Sequence, residues 1–176
     1  VIPFRKQRET IGNLLLRRQL KKQHRHVQMK KISDLKNVGI FFDAGSERCR
    51  KTVKAFIKKL QAQGTEVRAL GYFNTIKPEE NFISDKTVYF STLKDFSYFF
   101  LPKSEEVIEF TSANPDALFV FSTCKDFAPA AVLKLSKAGL KIGFAGVHDD
   151  ALDLTFELPG YEPEKLIEQI ERYLEN

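Results

Sequence analysis

Two kinds of apolar spacing divide this chain. From residue 38 onward, short uninterrupted apolar runs alternate with stretches in which apolar residues return every three or four positions; before residue 37, apolar residues are sparse and set among cations. Residues 38–42, Val-Gly-Ile-Phe-Phe, have the form of a strand covered on both faces. After the turn Asp43-Ala44-Gly45-Ser46, Ser46 is placed to cap a helix with the stripe Val53, Phe56, Ile57 and Leu60, which stops at Gly64, a residue suited to C′. Residues 66–72 give a second strand. Residues 38–72 therefore predict a β-α-β unit with a right-handed crossover.

The pattern then repeats. A loop over residues 77–81 leads to a short strand at 87–90, and Pro102 and Ser104 start a helix through about residue 111. Residues 117–121 are another buried strand, 129–137 a helix stopped by Gly139, and 141–147 a further strand. Leu152, Leu154, Phe156 and Leu158 alternate as a last, half-exposed strand should. Pro163 opens a terminal helix packed through Leu166, Ile167, Ile170, Tyr173 and Leu174. Phe96, Tyr98, Phe99 and Phe100 read as core packing or a lid over one sheet edge. The expected fold is α/β: an open, mainly parallel, three-layer, Rossmann-like sheet over residues 37–176. Ahead of it, Ile11, Leu15, Leu16, Leu20 and Val27 predict a basic amphipathic helix across residues 9–31, within an arm of residues 1–36.

Charge separates these two parts further. The first 36 residues hold eleven Lys/Arg against Glu9 and Asp34, a net +9 in a chain whose total is +5, so the other 140 residues stand at −4. Arg5, Lys6, Arg8, Arg17, Arg18, Lys21, Lys22, Arg25, Lys30 and Lys31 are the candidate partner-binding residues. In a continuous helix, Arg17, Arg18, Lys21, Lys22 and Arg25 would share one side. Cations this dense repel one another unless something anionic neutralises them, and polyphosphate backbones do so with counterion release. RNA, and a ribosomal particle above all, is the expected partner. An anionic membrane surface is the lesser alternative. Nothing in the sequence reaches the roughly 18 apolar residues of a membrane span, and the Leu14-Leu15-Leu16 run is too short for a secretory signal. Cys49 and Cys124 are far apart, without CxxC spacing, which excludes a disulfide framework or zinc site and suits a reducing, cytoplasmic setting.

Chemistry, if the body carries any, belongs beyond the carboxyl ends of the strands. There the sequence puts Asp43 and Ser46 after the first strand, Ser122, Thr123 and Lys125 after the fourth, and His148, Asp149 and Asp150 after the fifth. This is a candidate pocket for a phosphorylated small molecule. Asp43 with Asp149 or Asp150 has the donors for magnesium, but turn and capping roles explain them more simply, and no metal or cofactor is expected. The turn after the first strand lacks both G-x-G-x-x-G and G-x-x-x-x-G-K-[ST]. Cys124 beside His148 has the makings of a nucleophile, yet a cysteine after a buried strand reads first as a small packed residue.

The runs Val38-Gly39-Ile40-Phe41-Phe42-Asp43, Leu70-Gly71-Tyr72 and Leu135-Ser136-Lys137-Ala138-Gly139-Leu140-Lys141-Ile142-Gly143, together with the basic helical start, resemble a family of short α/β proteins of Bacteroidetes-type bacteria known as a domain of unknown function. That resemblance spans nearly the whole chain and implies no catalytic residue. The expectation is thus a non-enzymatic RNA-associated accessory protein whose body contacts protein or a small ligand. An enzyme or sensor at the strand edge is the alternative.

Overall fold

Uninterrupted apolar runs become the strands because a parallel sheet leaves neither face to water. In the computed structural model, which describes residues 2–175, β1 (Asn37–Asp43), β2 (Glu66–Tyr72), β3 (Val88–Ser91), β4 (Ala117–Phe121), β5 (Leu140–Phe144) and β6 (Leu154–Phe156) form one sheet. Its order is β3-β2-β1-β4-β5-β6, and every pairing is parallel. The connection reverses direction between β1 and β4, so the crevice beyond their carboxyl ends is the switch point of the fold.

Helices α2 (Glu47–Ala62) and α5 (Pro163–Glu175) cover one face, setting Val53, Phe56, Leu60, Leu166 and Ile170 against Ile40, Phe42, Phe119 and Ile142. Helices α3 (Glu105–Ser112) and α4 (Phe127–Leu135) cover the other, where Val107, Ala128 and Val132 meet Phe41, Leu70, Leu118 and Val120. Ser46 Oγ accepts from the Cys49 amide at 3.2 Å and caps α2. The three-layer arrangement expected from the apolar spacing is present.

The basic leader forms a further layer. Helix α1 (Arg5–Lys21) lies on the outside of α4, with Leu15, Leu16 and Leu20 against Phe127, Ala131, Leu135 and Leu101. Gly12 permits this approach, since a Cβ there would be driven into the Phe99 carbonyl oxygen and to 3.1 Å from the Phe127 ring. The aromatic segment supplies both core and clamp. Phe96 and Phe100 are buried, whereas Tyr98 is 59% exposed. Between Tyr98 and Phe100 lies the Arg8 guanidinium, 4.0 and 4.5 Å from the ring centres, donating to the Tyr98 carbonyl at 2.7 Å.

One expectation is corrected here. The helix predicted over residues 9–31 begins at Arg5 and ends at Lys21 with Lys22 as its C-cap, and residues 23–31 run as a strap without regular secondary structure. The last turn of α4 and the loop after it leave carbonyls without helical partners, and the strap supplies the donors. Gln23 Nε2 donates to Leu135 O at 2.6 Å, Arg25 Nε to Ala138 O at 2.6 Å, and the Gln28 amide to Gly139 O at 2.9 Å. Val27 and Met29 stay exposed, so a helix through them would have had no apolar stripe to bury.

A second partner for the same helix end went unrecognised in the sequence. Lys141 on β5 is buried, and its ammonium donates to Leu133 O at 2.6 Å and Lys134 O at 3.3 Å, where a cation complements the helix dipole. Burial, with Arg25 nearby, pulls its pKa down to about 8. The folded chain therefore sheds this proton above about pH 8, while the unfolded chain holds it to roughly 10.4. Between those values the unfolded state binds more protons, so this group's contribution to stability rises with pH. Comparing denaturant unfolding of the native chain and Lys141→Met between pH 7 and 10.5 should show the difference moving toward the native chain by about 2–3 kcal/mol. The buried Cys49 thiol, pushed up to about 12, has the opposite effect but cancels between the two proteins. A difference that stays constant with pH would mean that Lys141 is not titrating in this way.

Candidate nucleic-acid interface

Docking splits the ten candidate partner-binding cations of the leader into two sets. Arg5 pairs with Glu9 at 2.8 Å and Asp126 at 2.9 Å, which raises its pKa. Arg8 is held by the aromatic clamp described above. Arg25 makes a two-pronged pair with Asp153, and Lys30 meets Asp116 at 2.5 Å. Asp116 also accepts from the Lys36 and Asn37 amides at 2.8 and 3.2 Å, and although burial works against it, these partners hold its carboxyl below the usual range. These four cations belong to the fold. Lys6, Arg17, Arg18, Lys21, Lys22 and Lys31 are exposed and carry no ion pair among the described residues.

Four of those six lie on α1 and Lys22 is its C-cap, so the helix geometry keeps these five together. With Gly12 and Leu16 facing α4, the 100° step per residue turns Lys6, Arg17, Lys21, Arg18 and Lys22 across the outward half of the helix. The one acid on α1, Glu9, is turned inward to Arg5. A cationic rail with no carboxylate of its own results, on a helix fixed from behind by Leu16, Arg5 and Arg8. Ile11 and Leu14 are exposed on the same side.

At the opposite end of the sheet from the strap, the strand-edge candidates are engaged with one another. Asp43 accepts from Ser122 Oγ at 2.5 Å and from the amide and hydroxyl of Thr123 at 2.7 and 3.1 Å, closing the switch-point crevice between β1 and β4. Ser46 is committed to its cap. Asp149 closes a turn on the Gly146 amide at 2.9 Å, and Asp150 pairs with Lys134 at 2.8 Å. Lys125 is exposed on the loop after β4. His148 is buried, its pKa lowered by burial and its ring hydrogen-bonded to the Cys124 backbone, while Nε2 has no partner. Burial raises the Cys124 thiol, which is the wrong direction for a nucleophile. No group of three or more His, Cys, Asp or Glu is placed to hold a metal among the described residues.

The family of unknown function DUF6913 matches residues 8–176. The chain belongs to that family. No curated protein matches it and no solved structure matches it. The span shared with DUF6913 starts inside α1, so most of the docked helix and the rail from Arg17 onward lie within the matched span together with the sheet, while Lys6 lies before it. Among the described residues, no helix is long and apolar enough to cross a membrane.

The sequence missed two residues that shape this face. Asp116 and Asp153 sit 86 and 128 positions from the cations they neutralise, beyond the reach of local patterning. The docking of α1 did leave a trace. The α4 sequence Phe-Ala-Pro-Ala-Ala-Val-Leu-Lys-Leu is apolar around nearly its whole circumference, the mark of a helix covered on both sides.

Proposed function

We propose that this member of DUF6913 is a non-enzymatic, cytoplasmic RNA-associated accessory protein that docks on a structured RNA, a ribosomal particle foremost, through the outward face of α1. The observation that carries this reading is the rail itself: Lys6, Arg17, Arg18, Lys21 and Lys22 stand exposed and unpaired while neighbouring cations of the same leader are matched internally. A rigid backing lets these charges meet a phosphate backbone without the ordering cost that a free arm would incur on binding. Affinity for RNA measured across salt concentrations is the test. Neutralising about five phosphates gives a log–log slope of roughly −3.5 to −4.5. A slope near zero, or no binding at low salt, would contradict the proposal.

The exposure of Ile11 and Leu14 among the cations favours a second reading, attachment to an anionic lipid surface. Pelleting with anionic vesicles at physiological salt, together with absent RNA binding, would select it.

A further inference from the structure

We propose that the RNA site continues off α1 into a groove that accepts an unpaired strand, and that Lys137, a residue of the body, is its central contact. This rests on the RNA reading above and specifies which form of RNA the surface takes. Two shallow depressions adjoin at Lys137. One, of about 360 Å³, is lined by Lys22, Gln23 and Ser112 as well as Lys137. The other, of about 280 Å³, is lined by His24, His26 and Asn114, again with Lys137. Lys137 is half-buried and carries no ion pair among the described residues. It is therefore a recessed cation, unlike those of the rail.

The acid that faces this groove, Asp116, is already bound to Lys30 and to the Lys36 and Asn37 amides, so the lining presents net positive charge. Around Lys137, the side chains of His24, His26 and Asn114 offer hydrogen-bonding groups of the kind that read base edges and sugar hydroxyls. A duplex presents its phosphates on a stiff convex surface, which suits the rail on α1 but leaves a recessed lysine out of reach. A single strand can turn a phosphate inward and lay a base along the strap. The Lys22 end of the rail opens directly into the first depression, which makes one path of the two.

The test compares a labelled RNA hairpin that ends blunt with the same hairpin carrying an unpaired tail, each titrated with the full chain. The native protein should bind the tailed hairpin roughly tenfold more tightly, and Lys137→Glu should remove that gain while lowering blunt-hairpin affinity much less. Retained blunt-hairpin binding also reports that the variant is folded, and Lys137→Ala should give an intermediate loss. Equal native affinity for both RNAs, or a Lys137→Glu loss shared equally by both, overturns the groove while leaving the rail in place. Absence of binding to either RNA overturns both.

Discussion

Replacing Arg17, Arg18, Lys21 and Lys22 together by glutamate is expected to weaken RNA binding by roughly a hundredfold or more at physiological salt. All four side chains are exposed and without an ion pair among the described residues, so no hydrogen bond or ion pair within the fold is broken. Exposed substitutions of this kind usually change stability by less than about 0.5 kcal/mol each. Glutamate near the end of α1 opposes the helix dipole, at about 0.3–1 kcal/mol per charge, so the matching glutamine variant serves as a control and should lose binding to a smaller degree. Titration of a labelled RNA, with circular dichroism to verify folding, measures both effects. A folded glutamate variant that binds like the native chain would remove α1 from the interface.

Gly12→Ala is expected to destabilise the protein by about 1–3 kcal/mol. A solvent-exposed helix should respond in the opposite sense, because glycine-to-alanine in a helix interior gains about 1 kcal/mol. The sign of the change thus reports whether α1 is docked. In this fold the added methyl meets the Phe99 carbonyl and the Phe127 ring, and neither can withdraw without disturbing Phe100 and the outer face of α4. Hydrogen exchange across residues 5–21 should accelerate in the variant while β1, β4 and β5 stay protected. A more stable Gly12→Ala protein would contradict the packing of this layer.

The sheet and its two covering layers were legible in the sequence because burial on both faces forces unbroken apolar strands such as residues 38–42 and 117–121. Helix caps at Ser46 and stops at Gly64 were legible for the same local reason: each satisfies a backbone need that few residue types meet. The leader was not legible in this way. Its packed side joins a short stripe of Leu15, Leu16 and Leu20 to Gly12, Arg5 and Arg8, so glycine and cations make up much of it, and its partners are brought up by folding from distant positions. Charge counting therefore located the cationic segment but could not tell the structural cations, Arg5, Arg8, Arg25 and Lys30, from those left for a partner. At the strand edge, chemistry-bearing types gathered where the topology requires, yet Asp43, Asp149 and Asp150 serve the loops that carry them.

That division between structural and available cations is the core of this account. Its most direct measurement is the salt dependence of RNA affinity for the native chain beside that of the Arg17/Arg18/Lys21/Lys22→Gln variant. The native log–log slope of roughly −3.5 to −4.5 should become shallower by about three in the variant. Parallel slopes for the two proteins would show that the phosphates are neutralised elsewhere.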